Sequence, residues 1–192
     1  MRCFVESKTP LGVWGSSTFA KGPVKETSAT VRSVILGGQD GLVNVLGIVL
    51  AVAKATHDKR VILISGLAAT FAESISMAAV AYTSAKAGNE YYHSRNKRNH
   101  EFDHPIRDAL VVGFSALVGS LVPLIAFLFW NVLTASLATL VISTVVLFIA
   151  GMLKGKYTGV SILRSGIELA VIGMLAAIAG YTIGTALGAL PA

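Results

Sequence analysis

Five stretches of the chain are almost uninterruptedly apolar, at residues 34–53, 61–83, 109–130, 134–153 and 166–188. Each is long enough for a helix rising about 1.5 Å per residue to cross a hydrocarbon core about 30 Å thick. The run from Ala109 to Leu153 is too long for one crossing, and Asn131, after Trp130, supplies the turn that divides it. The pattern predicts an all-α, polytopic membrane protein with five transmembrane helices per protomer. Residues 1–33 are mixed and mostly polar, with Pro10 and Pro23 among them, and lack the continuous apolar core of a cleavable signal peptide. They are expected to form a basic cytosolic arm, residues 84–108 a cytosolic connection between the second and third spans, and residues 189–192 a short tail.

The charges assign the orientation. Of the 16 lysines and arginines, 13 fall in the arm, the 84–108 connection and the connection between the fourth and fifth spans, which all lie on one side. Lys54, Lys59 and Arg60 alone fall on the other. The richer side is the cytosolic one by the positive-inside rule, so the N-terminus is expected in the cytosol. The membrane is the cell membrane in a prokaryote, and a vacuolar or other organelle membrane in a eukaryote. Composition agrees: 54% of residues are hydrophobic and 14% charged, against about 25% charged in a soluble domain. The net charge of +6 suggests nucleic acid only until the basic residues are located between apolar runs, where they meet anionic headgroups. No nucleic-acid partner is expected. A single cysteine, Cys3, rules out an intramolecular disulfide and a cysteine-based zinc site.

Small residues stud the spans: Gly37 and Gly41 form a GxxxG in the first, and Gly113, Ser115, Gly119 and Ser120 recur in the third. Such residues let helix backbones approach closely in lipid. The first-span pair serves either packing within the bundle or a seam between two protomers. Pro123 is expected to kink the third span, or to mark a carbonyl satisfied by a neighbouring helix.

Against this background Asp40 and Asn44 in the first span and Glu73 in the second are conspicuous. An ionised carboxylate near the bilayer centre costs about 3 kcal/mol even on the lenient insertion scale. The first two spans run antiparallel. Asp40 lies seven residues inside Ser33 and Met77 seven inside Ser84, both roughly 10 Å deep. Asn44 and Glu73 lie one turn deeper, at roughly 16 Å. Spacings of four place Asp40 with Asn44, and Glu73 with Met77, on one face of their helices. Two carboxylates, an amide oxygen and a thioether thus make a candidate path for a divalent cation, and the sulfur leans it toward Fe(II), with Mn(II) and Co(II) close behind. The plainer alternatives are Met77 as core filler, Asn44 as interhelical hydrogen-bond glue, and Glu73 as a protonated, hydrogen-bonded carboxyl that would also carry a proton.

Glu168 reads instead as an interfacial ion pair with Arg164, one turn before it. The 84–108 connection holds Glu90, His93, His100, Glu101, Asp103 and His104, and His100 and His104 would share a helical face. A solvated loop is the favoured reading because Pro105 limits how far a helix could carry both histidines. The chain has no GxxxxGK[ST], HExxH or GxSxG, and Ser76 has no histidine within any span to activate it, so no enzyme and no resident cofactor are expected.

DGLVNVLGIVLAVA in the first span, GLAATFAESISMAAVAYTSAKAGNEYY in the second, DHPIRDALVVGFSALVGSLVPLIAF in the third and GIELAVIGMLAAIAGYTIGTALG in the fifth resemble the vacuolar iron transporter family. The likeness covers about residues 33–188. It implies a five-span protomer, a homodimer with the ion path between the two first spans, and export of Fe(II) or Mn(II) from the cytosol in exchange for protons. By the matching DGL and ISM motifs, Asp40 corresponds to the family's membrane carboxylate ligand and Met77 to its methionine ligand. Family members with a cytosolic metal-collecting domain carry a long glutamate-rich segment between the second and third spans, where this chain has only residues 84–108. Glu73 stands where the family usually has a small residue, and we read it as a carboxylate replacing what the short connection does not offer. That short connection also leaves open a second function, a non-transporting membrane metal sensor or assembly module of the same fold, and beyond it a passive channel.

Overall fold

The computed structural model describes residues 23–94 and 104–189. They form five helices, α1 (Pro23–Thr56), α2 (Lys59–Ser94), α3 (Pro105–Phe129), α4 (Val132–Thr158) and α5 (Ile162–Gly188), with no strand among the described residues. Each helix is long and apolar enough to cross a membrane, and large apolar side chains such as Ile64, Phe114 and Leu133 face outward. A bilayer as solvent accounts for both, and the chain is an all-α, multi-pass membrane protein.

The ends of the helices are set by local chemistry. Pro23 opens α1 and Pro105 opens α3, where a missing N–H costs nothing. His57, at φ 53°, turns the chain between α1 and α2, and Asp58 Oδ1 accepts the Arg60 N–H at 2.7 Å to cap α2. Trp130 and Asn131 separate α3 from α4 in extended backbone, as the sequence pattern predicts. Gly159 ends α4 in the left-handed conformation, φ 72°, which glycine adopts without strain. The Ser161 hydroxyl then caps α5 by accepting the Arg164 N–H at 3.3 Å.

All five helices are longer than the spans expected of them, α1 and α2 by the most. α1 starts eleven residues before position 34, and α2 runs eleven residues past position 83. At 36 residues α2 measures about 54 Å, well beyond the hydrocarbon core, so the first part of the 84–108 connection is a helical extension. Residues 1–22, 95–103 and 190–192 lie outside the described residues, and with them most of the arm, the tail, and His100, Glu101 and Asp103.

α1 is the axis of the bundle, packed by α2, α3, α4 and α5, while α2 and α5 share no packed face. The four outer helices form an open ring around it. One strip of α1, between α2 and α5, remains uncovered and exposes Leu36, Asn44 and Ile48. Gly37 and Gly41 are buried against α3, where an added Cβ would collide with the Val112 and Ala116 carbonyls. The GxxxG therefore packs within one protomer and is not free to form a seam between two. α3 runs unbroken through Pro123, which is buried; the Thr139 hydroxyl of α4 donates to the Pro123 carbonyl at 2.8 Å. At the end rich in lysine and arginine, Arg107 of α3 reaches Thr30 of α1, Nη2 to Oγ1 3.3 Å.

Candidate metal site

Asp40 and Asn44 stand one turn apart on α1, at the margin of its uncovered strip. Asp40 is half-buried and Asn44 exposed. Across from them, α2 presents Glu73, half-buried, whose carboxyl makes side-chain hydrogen bonds with both Asp40 and Asn44. Three of the four expected ligands are thus brought together, and Glu73 bridges two levels of α1 where equal depth alone paired it with Asn44. Met77, the fourth, follows Glu73 by one turn and is half-buried. The supporting shell is apolar and hydroxylic: Thr70 and Ser74, one turn apart on the neighbouring face of α2, are buried and bonded to the carbonyls of Gly66 and Thr70.

Among the described residues no three histidine, cysteine, aspartate or glutamate side chains gather to hold a metal. One protomer therefore offers two carboxylates and an amide oxygen, with a thioether a turn away. Hard and borderline divalent cations prefer about six donors, so this set becomes complete only with water or with groups from a second copy.

The other candidates separate from the site. Glu90 and His93 project from the exposed end of α2, and His104 precedes α3. Glu168 is exposed on α5 and, among the described residues, forms no ion pair with Arg164. The expected pair is not formed, and the side chains of Arg164 and Glu168 both remain exposed, where a surface ion pair gains little. What sequence reasoning missed is the opening in the ring of helices: no local pattern announces that α2 and α5 touch only marginally.

A family model for the VIT family matches residues 31–104 and 96–185. Among curated proteins, vacuolar iron transporter 1 of Oryza sativa subsp. japonica is 25% identical over 208 residues, covering 79% of this chain and 82% of its own. Vacuolar iron transporter 1 of Arabidopsis thaliana is 23% identical over 210 residues, with 80% and 84% covered. An uncharacterized protein of Methanocaldococcus jannaschii is 28% identical over 160 residues, with 76% and 83% covered. The two plant alignments are longer than this whole chain although they cover about four fifths of it, so those relatives carry segments with no counterpart here.

Proposed function

Because the chain belongs to the VIT family, we propose that it is a transporter that moves a divalent transition metal, Fe(II) and also Mn(II), out of the cytosol in exchange for protons. The observation that carries this reading is the three-way contact of Glu73 with Asp40 and Asn44 within the membrane-spanning part of the bundle. Two carboxyl groups this close in a medium of low dielectric hold either a proton or a cation between them. A cation arriving at the pair displaces the proton, and a proton arriving releases the cation. That is the chemistry of exchange. Met77 adds a soft donor that favours Fe(II) over Mg(II) and Ca(II).

The functional unit in this reading is a homodimer. The uncovered strip of α1 carries Leu36 and Ile48 beside Asn44, and a second copy laid against it would cover the strip and bring a second set of donors to the same depth. The basic end of the bundle, with Arg32, Lys86, Arg107, Lys154, Lys156 and Arg164, faces the cytosol in this arrangement.

Proteoliposomes with an imposed pH gradient test the proposal. Uptake of Fe(II) or Mn(II) that rises with the gradient, and that Asp40→Asn removes, is the expected result; wild-type flux equal to that of empty liposomes overturns it. The short 84–108 connection favours a second reading, a membrane metal sensor. Equilibrium binding of Fe(II) to the purified protein without flux under any gradient selects that reading.

A further inference from the structure

α1 changes its backbone partner partway along. In the basic half Gly37, Gly38 and Gly41 lie against the α3 backbone at Val112, Gly119 and Ala116. In the far half Gly47, Ala51 and Ala55 lie against Gly180, Gly184 and Gly188 of α5. The stretch between the two contacts, residues 42–46, holds Asn44, and Asp40 stands just before it. α2 abuts the basic half of α3 at Gly113, which meets Ser74 and Ala78, the chain neighbours of Glu73 and Met77. α4 and α5 pair separately, Gly151 against Ser165 and Gly166, and Gly155 against Ile162. Where these two groups of helices meet in the basic half, side chains make the contact: Leu42, Val43 and Val122 on one side, Leu147 and Leu169 on the other. Glycine set against backbone moves as a rigid unit, whereas facing leucines and valines can slide and repack.

Pro123 lies at the boundary between the two halves. Gly41 stands against Ala116 and Ser120, so Pro123, further along α3, is level with the 42–46 stretch of α1. Having no N–H, Pro123 leaves the Gly119 carbonyl, one turn before it, without its helical donor. Thr139 of α4 pins α3 at this point by donating to the Pro123 carbonyl at 2.8 Å. The two helices are antiparallel, so one turn further toward the basic end sets Ser143 of α4 level with Gly119 of α3. Both residues are buried. Ser120, Ser136 and Thr144 each donate to the carbonyl one turn back. Ser143 does not, and its hydroxyl has no partner. An orphan donor and an orphan acceptor thus stand at one depth on neighbouring helices, each at a cost that a bond between them removes.

We propose that the bundle has a second conformation in which α3, carrying the basic halves of α1 and α2, swings about Pro123 toward α4 until the Ser143 hydroxyl takes the Gly119 carbonyl, so that Asp40 and Glu73 move together relative to Asn44. The proposal rests on the transport reading for its purpose, while the hinge itself is tested without flux. In protein carrying Cys3→Ser, spin labels at Leu110→Cys on α3 and Leu153→Cys on α4, both exposed toward the basic end, report the separation by pulsed electron resonance, with labelled protein diluted into unlabelled. Ile64→Cys with Leu137→Cys, exposed in the far half, is the control pair. The basic pair should show two distances and the control pair one. Ser143→Ala should deplete the shorter basic distance roughly three- to tenfold, the net effect of one buried hydrogen bond. Pro123→Ala returns a helical N–H to the Gly119 carbonyl and should deplete it likewise. Because both variants remove the same bond, the double variant should shift no further than either alone. A single basic distance in the wild type, populations indifferent to Ser143→Ala, or additive shifts in the double variant overturn the proposal. Where flux is present, Ser143→Ala should slow it with Fe(II) binding kept; loss of all wild-type flux sinks the transport reading and leaves the distances to decide the hinge.

Discussion

The carboxyl of Glu73 on α2 meets the carboxyl of Asp40 on α1 in a direct side-chain hydrogen bond. Neither helix could keep its acid alone in lipid at acceptable cost. Paired, with Asn44 as a third partner, the acids satisfy one another and still hold a vacancy for charge that a proton or a metal ion fills.

Replacing Asp40 by Asn keeps the hydrogen bonding and removes the charge. Flux of Fe(II) should fall by more than the roughly 10–100-fold that loss of an outer partner already costs a metal site. Size-exclusion behaviour should match the wild type, since an amide still bonds Glu73.

Glu73→Gln addresses the proton. It should leave the fold intact and reduce the dependence of flux on the imposed pH gradient, measured as the ratio of rates with and without the gradient. An unchanged ratio would make Glu73 a structural partner of Asp40.

Met77→Leu conserves volume and removes the sulfur. Transport of Fe(II) should weaken more than transport of Mn(II), because the thioether is the softer donor. The measurement is competition between the two ions in one liposome preparation.

The uncovered strip of α1 predicts its own cover. With Cys3→Ser in place, a cysteine introduced by Ile48→Cys should be captured by a short bifunctional maleimide between two protomers. Leu163→Cys, exposed on the outer face of α5, is the control and should not be captured.

Close helix contact predicts a stability effect away from the site. A Cβ at Gly119 would collide with the backbone carbonyl of Gly38, which cannot rotate away as a side chain would. Gly119→Ala should destabilise the protein by about 1–3 kcal/mol, read as a lower Tm in detergent.

Much of this protein was legible in the chain alone. The five apolar runs determined the number of crossings because bilayer thickness dictates helix length, and Asn131 marked the break between α3 and α4. Asp40, Asn44, Glu73 and Met77 stood out because lipid penalises polar groups that lack partners. Helical spacing then grouped them by face and depth.

Only tertiary structure decided how those faces meet. That Gly37 and Gly41 serve α3 and that Glu73 reaches Asp40 as well as Asn44 depend on how the helices cross. Crossing is governed by which small residues of one helix accept the backbone of another. A sequence shows that small residues are present, but the choice of partner is made by all five helices at once, and with it the slight contact between α2 and α5 that leaves a strip of α1 exposed.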